Sequence, residues 1–95
     1  MKTIKKIKVS DMTSNKSYSA IPNQFTIRTP EGYYFQSYDT LIAFQDSKTR
    51  ITYLDKDNWD YSVTTGKYRN QFLGEGIQET RQKIKSGEYK LVDLN

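Results

Sequence analysis

The chain has 95 residues, 35% of them hydrophobic and 14% aromatic, with eight tyrosines, no cysteine and no histidine. This length leaves room for one small core and no deep substrate cavity, and the missing cysteines remove disulfide frameworks, thiolate nucleophiles and thiolate metal sites together. Fifteen Lys and Arg against eleven Asp and Glu give a net charge of +4, which favours an anionic partner, whether nucleic acid or an acidic protein surface.

Residues 1–8 carry Lys2, Lys5, Lys6 and Lys8 without an acid, and Ile4, Ile7 and Val9 only partly alternate with them. Residues 3–9 therefore read as an edge strand or an ordered arm. The positive start lacks the continuous apolar run of a signal peptide, and Leu41 to Phe44, the longest apolar cluster, falls far short of a bilayer span. No membrane association is expected. Residues 10–23 are rich in Ser, Asn and Thr without a clear period and read as a loop, so the expected division is an arm over 1–23 and one domain over 24–95.

Phe25 and Ile27 alternate with Thr26 and Arg28, Thr29-Pro30-Glu31-Gly32 supplies turn chemistry, and Tyr33 to Tyr38 completes a hairpin. Leu41 to Gln45 and Thr49 to Leu54 add two strands to an antiparallel meander. Past Asp55-Lys56-Asp57-Asn58 the period becomes helical, with Thr64 or Thr65 as N-cap and Tyr68, Phe72, Ile77, Thr80 and Ile84 near one face. Gly74 and Gly76 interrupt that face, giving pieces at 65–73 and 77–86. Gly87 closes the second piece, Lys83 and Lys85 suit its negative end, and Tyr89 to Leu94 reads as a returning strand. The expected fold is α+β: a small antiparallel sheet of four to five strands with one kinked helix or two short helices on one face.

Without histidine or cysteine, a catalytic site would have to come from Asp, Glu, Lys, Tyr and Ser, and Asp55, Asp57 and Asp60 form the only dense carboxylate cluster. A twelve-residue calcium loop opening at Asp55 fails, because Asp60 and Gly66 stand where glycine and glutamate are required. Thr65-Gly66-Lys67 lacks the first glycine of a phosphate loop and is followed by Tyr68 rather than Ser or Thr. No catalytic residue, metal or cofactor is expected, and the chain reads as a binding protein.

Two surfaces stand out. Tyr33, Tyr34, Phe35 and Tyr38 cannot all enter one side of a sheet, and tyrosine offers large contact area at low entropic cost, so Tyr33, Tyr34 and Tyr38 are candidate partner contacts. Lys67, Arg69, Asn70 and Gln71 neither fill a core nor cap a helix and join them. For a nucleic-acid partner the candidate phosphate contacts are Lys67, Arg69, Arg81, Lys83 and Lys85, although Glu75, Glu79 and Glu88 interleave with them.

The segments Phe35-Gln36-Ser37-Tyr38-Asp39-Thr40-Leu41-Ile42-Ala43 and Trp59 to Glu75 resemble short proteins encoded by phages and prophages of Gram-positive bacteria, over residues 25–94. The resemblance carries no functional residues over. It implies context: a protein in the host bacterial cytoplasm that blocks or redirects a host or defence protein, or a nucleoprotein complex, stoichiometrically through its surface. The alternative is a small basic nucleic-acid-binding protein.

Overall fold

The computed structural model describes residues 6–95, so Lys2, Ile4 and Lys5 of the expected arm lie outside the described residues. Eight elements follow in order: β1 (Lys8–Thr13), β2 (Ala20–Thr29), β3 (Gly32–Ser37), β4 (Thr40–Asp46), β5 (Thr52–Asp55), α1 (Val63–Leu73), α2 (Ile77–Ser86) and β6 (Tyr89–Val92). The fold is α+β, with six strands rather than four to five, ordered β1-β2-β3-β4-β5-β6. Strands β1 to β5 form the antiparallel meander, while β6 pairs in parallel with β5. A parallel neighbour requires a long crossover, and the two helices supply it.

Edge strand β1 overlaps the expected edge strand or arm at Lys8 and Val9 and continues into the stretch read as a loop. Lys8 pairs with Arg28 and Asp11 with Phe25, and β2 begins at Ala20, so the expected boundary at 23/24 falls inside a strand. The period is hidden for a physical reason: β1 is an edge strand, solvated along most of its length, and Met12 is its one buried side chain. A slip in pairing between Asp11 and Thr13 interrupts the alternation further.

Phe35, Ile42, Ala43 and Leu54 are fully buried and form the core with Met12 and Tyr89. Trp59, Tyr68, Phe72, Leu73 and Ile84 pack against them from the helical side. Phe35 stacks on Phe72 with ring centroids 5.8 Å apart. A bulge between Phe35 and Gln36 lets Ile42 and Ala43 both be buried although they are consecutive.

Helix α1 starts two residues before the expected position, and its N-cap is Ser62, whose Oγ accepts from the Thr65 amide at 3.1 Å. Thr65 has another task. Its hydroxyl is hydrogen-bonded to that of Ser37 on β3 at 2.9 Å, both fully buried. The residues α1 buries most fully are Thr65, Gly66 and Arg69, so polar contacts join the half-buried Tyr68, Phe72 and Leu73 in seating it. Helix α2 occupies the expected residues and ends at Gly87, which adopts a left-handed conformation at φ 85°.

Between the helices, Glu75 accepts hydrogen bonds from Lys83 Nζ (2.8 Å), Thr80 Oγ1 (2.6 Å) and Tyr89 Oη (2.7 Å). Burial raises its pKa and is the largest single influence, but these three bonds together outweigh it and hold the carboxyl below the usual carboxylate range. Among the described residues no helix is long and apolar enough to cross a membrane.

Candidate partner-binding surface

The segment between β5 and α1 is fixed from both ends by carboxylates. Asp55 accepts from the amides of Asp57 (3.3 Å), Asn58 (3.0 Å) and Leu94 (2.9 Å) and from Asn58 Nδ2 (2.7 Å). Burial raises its pKa most, yet the hydrogen bonds led by that from Leu94 lower it overall. Asp60 accepts from Arg69 Nη1 at 3.1 Å and lies 3.5 Å from Arg81 Nη2. Asp55 and Asp60 of the acidic cluster thus tie a turn to the segment after β6 and to both helices, and no group of metal-ligating side chains occurs among the described residues.

Arg69 is the central member. It is only 1% exposed, donates from Nη1 to the Trp59 carbonyl (2.7 Å) and from Nη2 to Asn70 Oδ1 (2.9 Å), and lies 5.4 Å from the Trp59 ring centroid. Gly66, one turn earlier, lies against it: a Cβ there would stand in ordinary contact, 3.5 Å from Arg69 Nη2. Arg69 thus directs most of its hydrogen bonds into the chain and, at 1% exposure, offers a partner almost no surface of its own.

What this clamp presents outward is apolar. Val63 is 92% exposed and Tyr61 50% exposed, beside a shallow hollow of about 600 Å³ that Lys67, Asn70 and Ile77 also border. No acid occupies the first turn of α1, so the positive end of the helix is offset only by the more distant Asp60. Lys67 adds charge, its Nζ 5.4 Å over the Tyr68 ring. The surface joins an apolar knob to positive potential and suits an apolar side chain beside a carboxylate.

The other expected contacts do not gather here. Tyr34 lies on the sheet face away from the helices, stacked on Phe44 at 4.4 Å between centroids. Tyr33 points to the opposite face, level with Arg28 and Gln45, and Tyr38 sits in the β3–β4 turn at φ 56°. The three tyrosines therefore share no surface, since neighbours in a strand alternate and the turn carries Tyr38 away. Gln71 donates from Nε2 to the Thr13 carbonyl at 2.8 Å and holds β1 in place. Asn70 lends its Oδ1 to Arg69.

Of the candidate phosphate contacts, Lys83 is held by Glu75 (2.8 Å), Glu79 (3.1 Å) and Glu88 (4.0 Å), and the bonds to Glu75 and then Glu79 raise its pKa. Arg81, Lys67 and Lys85 are all exposed, and Arg81 faces Asp60. The sequence reading missed Tyr61 and Val63, the latter signalled only by a single aliphatic residue in a run of hydroxyls. It also missed Lys8 and Arg28, directly opposed on β1 and β2 without an ion pair among the described residues, beside Ser10, Thr26 and Tyr33.

Comparison with known proteins adds the family. No curated protein and no solved structure matches the chain. A family model matches residues 7–89, nearly the whole of the described chain, and its description is a family of unknown function, DUF8033. The chain belongs to the DUF8033 family.

Proposed function

We propose that this is a phage-type small binding protein that acts stoichiometrically, as an inhibitor or modulator of a host or defence protein in the bacterial cytoplasm. The observation that carries the reading is the apolar knob of Tyr61 and Val63, held above a polar clamp and beside a helix end with no acid in its first turn. An apolar side chain that is nearly fully solvated gains by desolvation on contact, about 25 cal/mol per Å² buried. The clamp limits the ordering cost that would oppose it. The phage setting rests on the resemblance of residues 25–94.

The test is capture from a host lysate by the tagged full chain against a Val63→Glu/Lys67→Glu variant. Both positions are exposed, so the variant should fold unchanged. The expected result is one retained protein, in one-to-one ratio, lost from the variant. Equal retention by the two baits overturns the surface.

A second reading, nucleic-acid binding, draws on Lys8 and Arg28 rather than on the helix lysines. Like charges directly opposed across strands are destabilising, and a bound phosphate would relieve them. Nucleic acid retained by both baits, with affinity falling steeply as salt rises, would favour this reading.

A further inference from the structure

Pairing registers define a continuous row across the sheet face that the helices leave bare: Val9, Ile27, Tyr34, Phe44 and Tyr53, ending at Lys90. Five neighbouring strands each give this row an apolar side chain. The rings of Tyr34, Phe44 and Tyr53 stack side by side, with centroids 4.4 and 6.1 Å apart. The adjoining row adds Phe25 and Leu41. A sheet face turned to water ordinarily alternates to polar residues, and here it does not.

The charges on this face say what covers it. The exposed charged residues on the two rows are Asp11, on the outermost strand β1, and Lys90, on β6 at the opposite edge, and neither has an ion pair among the described residues. A two-fold axis lying between two such faces and parallel to the strands sets β1 of one copy over β6 of the other. Val9 then faces Lys90 of the second copy, Tyr34 faces Phe44, and Asp11, one pair further along its strand, comes within reach of the Lys90 side chain. The same happens at the other edge by symmetry. An axis across the strands would instead set β1 over β1 and leave both charges unmatched.

The area fits a weak association. Six strands at about 4.8 Å spacing span about 24 Å, and the rows of outward side chains cover roughly 15–20 Å along the strands. That footprint, roughly 400–500 Å² in plan, lies below the roughly 800 Å² per partner of a standard interface and in the range of weak, reversible pairings. The geometry points to a homodimer: two copies of this chain pack face to face through the open sheet, with Asp11 and Lys90 setting the register. The Tyr61 and Val63 knobs, on the helical side, stay uncovered, so the dimer would present two of them outward.

Sedimentation equilibrium on the full chain tests this. The expected result is a reversible dimer with a dissociation constant of about 1–10 μM. Asp11→Lys and Lys90→Asp should each weaken it about tenfold, since each turns two attractive contacts into two repulsive ones. The double exchange should restore it to within about threefold of the original, as each reversed charge meets its new complement. Both residues are exposed, so unchanged circular dichroism should accompany each variant. A monomer at every concentration hands the face to another occupant and overturns the pairing, and a dimer indifferent to all three exchanges overturns this arrangement.

Discussion

Replacing Glu75 by Gln removes one charge from the junction of α1, α2 and β6 while keeping shape, and the structure sets the size of the effect. Oε1 accepts from both Lys83 and Tyr89, and Oε2 from Thr80. In the Gln variant the remaining oxygen still accepts the first two bonds, weakened because the acceptor is neutral. A hydrogen bond to a charged group contributes about 1.5–3 kcal/mol against about 0.5–1.5 for a neutral one, so each loses roughly 1 kcal/mol. Thr80 loses less, because its hydroxyl also lies 3.2 Å from the Gly76 carbonyl and can accept from the new amide.

The sum is about 2–3 kcal/mol, or roughly 10–20 °C in midpoint for a chain of this size. Thermal and urea unfolding at pH 7, followed by circular dichroism, measures it. The pH dependence supplies an independent check. Because the folded carboxyl titrates below its unfolded value, its contribution is complete above the unfolded pKa and fades as pH falls through the folded one. The difference between wild type and Glu75→Gln should therefore narrow below about pH 4. A gap under about 0.5 kcal/mol at pH 7, or one that persists unchanged in acid, would refute the assignment of Glu75 as an ionised junction.

Two further outcomes follow from buried hydroxyls. Thr65→Val should cost about 1–3 kcal/mol by leaving the Ser37 hydroxyl without a partner, and adding Ser37→Ala should recover part of that loss, as urea unfolding of the three variants would reveal. Burial first, and then the bond to Glu75, push the Tyr89 phenol up to about 12. A raised pKa means stability is complete below the unfolded value near 10 and lost as pH rises through the folded one; ultraviolet titration should show a late-ionising phenol that Tyr89→Phe abolishes.

Where local rules govern, the sequence was readable. The Thr29-Pro30-Glu31-Gly32 turn, the alternation about Phe25 and Ile27, and the glycines at 74, 76 and 87 place the β2–β3 hairpin and both helices, because turn chemistry and caps act within four residues. The expected cap at Thr64 or Thr65 missed Ser62 because Thr65 has two uses for its hydroxyl, and a contact with Ser37, 28 residues away, decides between them. The candidate site was legible at Lys67 and Asn70. Arg69 looked like a surface cation since nothing local shows that the Trp59 carbonyl and Asp60 would fold over it.

What the sequence by itself determined is the class of elements, their order, and the absence of histidine and cysteine chemistry, all properties of short windows or of composition. Only the tertiary structure decided that β1 joins the sheet, that β6 runs parallel to β5, and that Val63 and Tyr61 face water while Arg69 does not. It also decided which residues share a face, the open row from Val9 to Tyr53 above all. Those outcomes depend on strand register and on partners distant in the chain. One residue of slip reverses every side chain, and a buried charge is tolerable only where several remote groups converge on it.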